Sequence, residues 1–437
     1  MWSPNAFTSS SSSSSSLEES TDDEDELDYD KNLTIQSVII LGYLLIIGKF
    51  DKKIHCRRNK MVEPFRMDWC KFSSRHPDMI ERTLRMSMES FQSLVAVLEN
   101  DLMKSEKEGK GRGGSISPEI RIFIFIRYAS GASYLDISLI TGASTTTVYK
   151  VIGEVRDAIN ASWDPKLDNI HFPRSREDCK KIAKEFEDRS FGQAVVNCVS
   201  VVDGYLLKII APGSNVVGNQ RSYFSGHYAC FGLNVQAACD IFCRFTFLGV
   251  AGPGVLPDRV AIHEVELMDL IEGLPGTYVV IGDPAYPATE HLVPLFFGES
   301  VKRPEHDAFN YYASQCRIRI EMAFGLMTQK WGLFQRPFSG HLLHLPELLK
   351  AIGRLHNYTI NERLDREANL TFSIDSIYYN QPSTIHTPAG VPVDFIEDDC
   401  NVQLMTSGIS MVRFAMVDRV KHLGLKRPSN SVLFTDK

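Results

Sequence analysis

The sequence predicts an α/β fold in which a mixed sheet is flanked by helices and preceded by an all-helical region. Up to about residue 165, apolar residues recur at helical spacing, whereas β-branched runs typical of strands begin at residue 193. The predicted strands are residues 193–204, 206–212, 231–240, 244–252 and 277–283, and the predicted helices among and after them are 260–274 and 310–334. Consecutive strands that then alternate with helices indicate a sheet covered by helices on its faces.

The length of 437 residues leaves room for two or three domains, and shifts in composition divide the chain further. The predicted regions are a disordered tail (1–32), a helical extension (33–82), a helical domain (83–165), the sheet domain (166–365) and an extension ending in a helix (366–437). The tail is rich in Ser and in acidic residues, so it cannot bury enough apolar surface to fold.

The net charge is unevenly distributed along the chain. The whole sequence has 47 Lys and Arg against 54 Asp and Glu, a formal charge of -7. Nine of the acidic residues lie within residues 1–30, which contain no Lys or Arg, so residues 31–437 carry a net charge of +2. A nearly neutral folded region does not exclude nucleic acid as a partner, but composition alone does not argue for one.

The cysteines and the apolar segments indicate an intracellular protein without a membrane span. The nine cysteines form no CxxC pair and no zinc-finger spacing, so we expect them to be reduced. The N-terminus lacks the basic start and apolar run of a secretory signal. The apolar segment 33–48 is shorter than the roughly 20 residues that a spanning helix needs, and it predicts a buried or partner-docking helix.

A helix-turn-helix pattern lies within the helical domain. Residues 133–140 read as a short helix, Gly142 lies in a tight turn, and Ser144 caps a second helix. The candidate DNA-contacting residues near the start of the second helix are Thr145, Thr146, Tyr149 and Lys150, whose side chains suit phosphates and base edges. Because the motif is short and degenerate, two ordinary packed helices remain an alternative.

Three acidic residues fall where the predicted sheet would bring them together. Asp203 ends the first predicted strand, Asp283 ends a later strand, and Glu321 lies in the long helix. Carboxylates that meet at the end of a sheet repel each other unless a cation neutralises them, and Mg²⁺ or Mn²⁺ prefers oxygen ligands. A pair of such metal ions suits the cleavage of phosphodiester bonds by in-line attack of water.

Each of these residues also has an ordinary structural interpretation. Asp203 precedes a glycine, which is a common turn dipeptide, and Asp283 precedes a proline, which often starts a loop. Arg317 and Glu321 are four residues apart on the long helix, so Arg317 can hold this carboxylate in a plain ion pair or contact a nearby phosphate.

Six sequence blocks resemble, in order and spacing, the DDE nuclease domain of PIF/Harbinger transposases and of their domesticated relatives. The blocks are VVDGYLLKIIAP, NVQAACDIFCRF, PGVLPD, GDPAYP, RIRIEMAFGLMTQKWGLF and LHNYTINER. The resemblance runs from about Phe172 to Arg363. Residues 117–160 also resemble the segment that precedes this nuclease domain, and residues 412–428 resemble its terminal helix.

The resemblance implies an RNase H-like fold for the sheet domain and metal-dependent cleavage and strand transfer of DNA. It places the catalytic acids on Asp203, Asp283 and Glu321, with Asp258 as a further ligand to the two Mg²⁺ or Mn²⁺ ions. It makes DNA the substrate and implies a separate Myb-like DNA-binding protein as a partner. A nuclear location follows from this function, and a homo-oligomer is compatible with it.

The sequence departs from the family pattern at a few positions while keeping the acids. Tyr205 follows the Asp-Gly pair where the family usually has Thr or Cys, and Pro257 stands before Asp258 where His is usual. His227 and Tyr228 lie where Lys or Arg is typical of the family.

We therefore expect a metal-dependent DNA endonuclease or transposase. The rival hypothesis is a domesticated, catalytically silent DNA-binding or scaffolding protein derived from a transposase, because intact acids do not by themselves prove activity. A nucleotide-handling enzyme is disfavoured, since the sequence has no GxxxxGK[ST] motif and no GxGxxG after a predicted strand. Clustering of basic residues on one surface would favour a protein that grips DNA.

Overall fold

The computed structural model describes residues 66–75, 77–103, 115–213, 216–367 and 411–428. The predicted tail over 1–32, most of the helical extension and the apolar segment 33–48 lie outside the described residues. All described residues belong to one unit, Pro64–Lys437.

The first part of the described chain is helical, as predicted. Its helices are α1 (Trp69–Arg75), α2 (Pro77–Leu84), α3 (Met88–Leu102), α4 (Pro118–Ala129), α5 (Tyr134–Thr141), α6 (Thr145–Ala161) and α7 (Arg176–Arg189). Proline at the first position of α4 suits the start of a helix, since proline has no N–H to leave unpaired. The side chains of α4 are mostly buried, so this helix forms the centre of the helical part.

The turn between α5 and α6 has the form that the sequence predicts. Gly142 adopts a left-handed conformation (φ 68°), which ends α5 at no steric cost. The hydroxyl of Ser144 accepts a hydrogen bond from the backbone N–H of Thr147, so Ser144 caps α6. Val148, Val151 and neighbouring apolar residues of α6 are buried, whereas Thr146, Tyr149 and Lys150 are exposed.

A mixed sheet follows, which confirms the predicted fold class at the level of a mixed sheet flanked by helices. The strands are β1 (Cys198–Lys208), β2 (Phe224–Ser225), β3 (Cys230–Cys239), β4 (Phe245–Pro253), β5 (Val279–Gly282) and β6 (Leu292–Pro294). Their order is β2-β3-β1-β5-β6, with β4 also paired to β3. β1 is antiparallel to β3 and parallel to β5, and β5 is parallel to β6.

The prediction that the chain turns after Asp203 is wrong. The sequence predicts two strands over residues 193–204 and 206–212, but Cys198–Lys208 form one continuous strand. Asp203 pairs with Ala237 and Gly204 with Gln236 in β3, so the Asp-Gly pair is held extended by the neighbouring strand. Tertiary pairing thus overrides a local turn preference, and Asp203 lies within β1 instead of at its end.

The remaining helices include one further correction. They are α8 (Asp258–Glu264), α9 (Leu267–Glu272), α10 (Pro304–Lys330), α11 (Leu345–Glu367) and α12 (Met411–His422). The single helix predicted over 260–274 is two helices, because Glu266 between them adopts a left-handed conformation (φ 58°). The sequence prediction also missed β2, β6, α7 and the full length of α11.

Helices cover both faces of the sheet. Val201, Ala237 and Ile281 share one buried cluster with α10 and α11, whereas Val202 and Val280 share another with α7, α8 and α9. Because side chains alternate along a strand, consecutive residues of β1 enter opposite clusters. No helix in the described part of the chain is long and apolar enough to cross a membrane.

α11 fastens the turn between β3 and β4. The Nε2 atom of buried His356 lies 2.9 Å from the carbonyl oxygen of Cys243, a residue in the left-handed region (φ 66°). The side chain of Asn357 accepts from the N–H of Phe245 and donates to its carbonyl, both at 2.8 Å. Burial, with a smaller contribution from the charges of Lys330 and Arg363, lowers the pKa of His356 to about 4, although the hydrogen bond to Cys243 opposes this shift.

We expect His356 to make the protein sensitive to acid. In the unfolded chain its pKa lies near 6.5, so between about pH 6.5 and pH 4 the unfolded state binds the extra proton and the folded state loses stability. At about 1.4 kcal/mol per pKa unit, the loss is on the order of 3 kcal/mol. Urea unfolding across this pH range should show a smaller loss for His356→Gln than for the wild type.

Replacement of the exposed His263 by glutamine is the control for removing an imidazole. Equal pH slopes for the wild type and His356→Gln would contradict the prediction.

Candidate active site

Asp203 occupies a half-buried position on the face of the sheet that α10 covers. Its side chain is 19% exposed, and its Oδ2 atom accepts a hydrogen bond from Nη1 of Arg317 at 2.9 Å. Its Oδ1 atom accepts from the N–H of Gly204 at 2.8 Å. Tyr205, two residues further along β1 and so on the same face of the sheet, stacks on Phe324 of α10 (ring centroids 4.9 Å apart). Both contacts fix the direction of Asp203 toward α10.

Asp283 lies beside Asp203 because of the register of two parallel strands. Val202 of β1 pairs with Gly282, the last residue of β5, so the residues that follow each of them are neighbours. Asp283 begins the loop after β5, where its Oδ1 atom accepts from the N–H of Ala285 at 2.6 Å. The predicted position of Asp283 at a strand end is thus confirmed.

Glu321 reaches the same place from α10, together with Arg317 one turn earlier. The Nη2 atom of Arg317 lies 2.5 Å from Oε1 of Glu321, while its Nη1 atom binds Asp203. The Glu321 side chain is 49% exposed, and that of Arg317 is 19% exposed. One guanidinium therefore bridges two carboxylates of the site, one from the sheet and one from the helix. Of the two interpretations of Arg317, the ion pair with Glu321 is present in the structure.

The electrostatics of the site show an excess of negative charge. Burial raises the pKa of Asp203 to about 7; Arg317 and the N–H of Gly204 oppose this rise, and the charges of Asp283 and Glu321 add to it. The site thus holds three carboxylates against the single guanidinium that bridges two of them. A further cation would favour the ionised form of Asp203.

Asp258, at the start of α8, lies on the other side of β1. A Cβ atom at Gly204 would come within 2.2 Å of its Oδ1 atom, so this carboxylate lies directly against the strand. Side chains alternate along β1, and Asp203 points to α10, so position 204 faces the opposite side. The structure therefore brings Asp203, Asp283 and Glu321 together and separates Asp258 from them by the backbone of β1.

A buried network of amides holds Asp258, and the sequence analysis missed it. Oδ1 of Asp258 accepts from Nδ2 of Asn234 and from Nε2 of Gln236, both at 2.9 Å. The Oε1 atom of Gln236 in turn accepts from the hydroxyl of Tyr286 at 2.6 Å. Burial raises the pKa of Tyr286 well above its usual range, and the charges of Asp258, Asp203 and Asp283 add to this, so its hydroxyl remains a donor.

The signal for this network was present in the sequence. Asn234 and Gln236 alternate with apolar residues in a strand whose side chains are nearly all buried. Buried amide side chains need hydrogen-bond partners, and an acid on the opposing helix provides them.

The carboxylates of Asp203, Asp283 and Glu321 are suitable ligands for a divalent metal, although two of them are ion-paired with Arg317 in the structure. Carboxylate oxygens are the ligands that Mg²⁺ and Mn²⁺ prefer, and burial, with a smaller contribution from Asp283 and Glu321, raises the pKa of Asp203. Among the described residues, no group of three or more His, Cys, Asp or Glu side chains has the arrangement of a metal site. Arg317 binds two of the three acids, so a metal ion would have to replace its guanidinium.

The candidate DNA-contacting residues of α6 form a separate surface. Thr146, Tyr149 and Lys150 are exposed, and Thr145 is half-buried. The Tyr149 ring lies beside that of Tyr134 of α5 (centroids 5.1 Å apart). Lys150 is 3.7 Å from Glu154, a weak pairing across one helical turn, so its ammonium remains open to other anions.

A comparison with known protein families finds one family model that covers this site. Residues 202–357 match the family model described as DDE superfamily endonuclease. The match supports a DDE transposase-like family. The DDE-like segment, as we call residues 202–357, begins one residue before Asp203 and contains Asp258, Asp283 and Glu321. No curated protein and no solved structure gave a significant match.

Two departures from the PIF/Harbinger pattern have local structural explanations in the DDE-like segment. Tyr205 supplies the ring that stacks on Phe324, so it helps to hold α10 against β1. Pro257 immediately precedes α8, where its fixed φ angle (-67°) and extended conformation suit the residue before a helix.

We predict that Gly204→Ala destabilises the protein by about 1–3 kcal/mol, the usual cost of overpacking. The new methyl group would collide with the Asp258 carboxylate and break its hydrogen bonds to Asn234 and Gln236. Gly325→Ala is the matched control, because Gly325 lies in α10 with no atom near its Cβ position. That variant should gain about 0.5–1 kcal/mol from helix propensity.

Urea unfolding of both variants checks the prediction. A Gly204→Ala protein as stable as the wild type would show that Asp258 is not held against β1.

Proposed function

We propose that the chain is a DNA endonuclease of the PIF/Harbinger transposase type that depends on Mg²⁺ or Mn²⁺. The observation that carries the proposal is the meeting of Asp203, Asp283 and Glu321, from β1, β5 and α10, within the DDE-like segment. The phosphodiester backbone of DNA is the proposed substrate.

The three acids have distinct positions in this proposal. Asp203, Asp283 and Glu321 would hold two divalent cations, whereas Asp258, which the backbone of β1 separates from them, would not be a ligand to these ions. When bound, such cations activate water and neutralise the charge that develops on the cleaved phosphate. Asn234 and Gln236 orient Asp258, and the hydroxyl of Tyr286 orients Gln236.

Arg317 has two roles in the proposed cycle. In the metal-free protein its guanidinium neutralises Asp203 and Glu321. If cations held these carboxylates, the guanidinium of Arg317 would be free to bind a phosphate of DNA in a bidentate manner. Arg317 is for this reason a proposed DNA contact as well as a counter-ion.

The helix-turn-helix formed by α5 and α6 is the proposed DNA-docking element, through Thr145, Thr146, Tyr149 and Lys150. Exposed hydroxyl, phenol and ammonium groups at the start of a helix suit phosphate and base-edge contacts. A Myb-like DNA-binding partner, a nuclear location and self-association complete the proposal, all through the resemblance to PIF/Harbinger transposases.

The rival function is a catalytically silent DNA-binding or scaffolding protein. One observation favours it: Arg317 already forms ion pairs with two of the three acids, so the negative charge of the site is partly neutralised without metal. The two functions differ in whether cations displace Arg317, which a binding measurement can decide.

We predict that Mn²⁺ binds the wild type saturably in calorimetry and that Asp203→Asn combined with Asp283→Asn abolishes this binding. Asp269→Asn, which removes an exposed carboxylate from α9, is the matched control and should bind as the wild type does. With Mn²⁺, the wild type should nick supercoiled DNA. Glu321→Gln should nick it about 100-fold more slowly or worse, since loss of even an outer partner of a metal ligand costs 10- to 100-fold.

No Mn²⁺ binding by the wild type, with or without DNA present, would favour the silent protein. Binding that survives the double substitution would mean that other acids hold the metal.

For the helix-turn-helix we predict that Tyr149→Ala combined with Lys150→Gln weakens duplex binding about tenfold, as measured by fluorescence anisotropy in EDTA. Loss of one phosphate contact should also reduce the slope of log K against log salt concentration by about 0.9. Lys181→Gln, at an exposed position of α7, is the control for removing one positive charge. If both proteins bind DNA equally well, α6 does not contact DNA.

A further inference from the structure

The turn after β5 carries Asp283, and local hydrogen bonds give it its shape. The N–H of Tyr286 donates to the carbonyl of Asp283 at 3.1 Å, and the N–H of Ala285 donates to its Oδ1 atom at 2.6 Å. These bonds join residues at most three positions apart, so they do not fasten the turn to the rest of the fold. Tyr286 is buried, with 4% of its surface exposed, whereas Ala285 is exposed. The side chain of Tyr286 is therefore the part of this turn that reaches into the core.

The side chain of Tyr286 crosses the face of the sheet opposite to the acids. It belongs to the buried cluster of Val202 and Val280, which α7, α8 and α9 cover. Its ring lies against Gly282, where a Cβ atom would come within 3.1 Å of it. Its hydroxyl donates to Oε1 of Gln236 in β3 at 2.6 Å. Because β1 lies between β5 and β3, this side chain spans about 10 Å, two strand spacings, and ties the turn to β3.

Each of the two acids from the sheet lies next to a glycine. Gly204 follows Asp203, and Gly282 precedes Asp283. Because side chains alternate along a strand, positions 204 and 282 face away from the acids. A Cβ atom at Gly204 would come within 2.2 Å of Oδ1 of Asp258, and the tyrosine ring takes the space at Gly282. The space that the two glycines leave open is thus occupied by side chains on the opposite face.

Asp258 decides which end of Gln236 faces Tyr286. An ionised carboxylate accepts hydrogen bonds and donates none, so the amide nitrogen of Gln236 faces Asp258 at 2.9 Å. The same nitrogen donates to Oδ1 of Asn234 at 2.8 Å, which uses both of its hydrogens. Oε1 of Gln236 therefore faces the hydroxyl of Tyr286, which is a donor. Asp258 thus acts on the turn through Gln236, although the backbone of β1 separates it from the three acids.

The filling of space does not explain this network. Apolar side chains of similar shape can replace a pair of buried hydrogen-bonding groups at little cost, so packing alone needs no polar groups here. A fully satisfied chain of hydrogen bonds has a fixed direction and makes the groups that it connects rigid. One end of this chain is Asp258, and the other end is the turn that presents Asp283 beside Asp203.

We propose that Tyr286 is a positioning residue, which holds Asp283 in place from the opposite face of the sheet, and that Asp258 keeps it there through Gln236. The importance of this position for metal binding rests on the proposed function, whereas the hold on the turn does not. Groups that orient a metal ligand by hydrogen bonds usually matter about 10- to 100-fold for metal affinity. Asp258 then contributes to the site without contacting a cation.

The first test measures hydrogen exchange of the full chain in EDTA by mass spectrometry. Tyr286→Phe removes the hydroxyl and keeps the ring. We expect the amide hydrogens at positions 285 and 286 to exchange about tenfold faster or more, since one buried hydrogen bond is worth about a factor of ten in a local opening. Tyr358→Phe is the matched control, because it removes an equally buried hydroxyl, which donates to the carbonyl of Ser90 at 2.5 Å. Its turn should exchange as in the wild type.

Two variants of Asp258 separate positioning from metal ligation. Asp258→Asn keeps an Oδ1 atom that accepts from Asn234 and Gln236, so it should match the wild type in exchange at the turn and in Mn²⁺ binding. Asp258→Ala removes this acceptor and should behave as Tyr286→Phe does. If Asp258→Asn weakens Mn²⁺ binding while exchange at the turn in EDTA stays unchanged, Asp258 is a metal ligand and its proposed role is wrong.

Calorimetry with Mn²⁺ then connects the turn to the site. Tyr286→Phe should bind Mn²⁺ about 10- to 100-fold more weakly than the wild type, and Tyr358→Phe should bind it equally well, although both variants lose a buried hydrogen bond. Unchanged exchange at the turn in Tyr286→Phe would overturn the proposal, as would unchanged Mn²⁺ affinity in a variant whose turn exchanges faster. If the wild type binds no Mn²⁺, the proposed function fails, while exchange in EDTA still decides whether Tyr286 holds the turn.

Discussion

The candidate site depends on one constraint, the gathering of carboxylates at a place where water is partly excluded. The parallel pairing of β1 with β5 brings Asp203 and Asp283 together, and the packing of α10 on β1 adds Glu321. Partly buried carboxylates that lie this close together stay ionised only when a cation lies near them. Arg317, one helical turn before Glu321, provides this cation. On the opposite side of β1, Asp258 is stabilised by hydrogen bonds from the side-chain amides of Asn234 and Gln236.

Local signals in the sequence predicted the helices and strands better than the points where they continue or break. Capping by Ser144 and the left-handed Gly142 could be foreseen because both effects act within a few residues. The continuity of β1 could not, since the extended form of the Asp203-Gly204 pair is imposed by β3, a partner distant in sequence. The helix break at Glu266 also escaped prediction, because a glutamate carries no local signal for a left-handed conformation.

The candidate site was predictable in its acids but not in its geometry. Each acid had an ordinary structural interpretation, and only the tertiary fold decides that Asp203 and Glu321 share one guanidinium while Asp258 faces the opposite side of β1.

Arg317 shows how one side chain can serve both an active and a silent protein. Its guanidinium binds Asp203 from β1 and Glu321 from its own helix, so removing it from either acid requires another cation at that carboxylate. A divalent ion brings twice the charge and can contact several oxygens at once, whereas the guanidinium contacts each acid through a single nitrogen. If the chain binds DNA as proposed, a phosphate near the site would give the displaced guanidinium a new partner of the same charge as the one it loses. Metal and DNA would then bind cooperatively, and Arg317 would be the residue through which each favours the other.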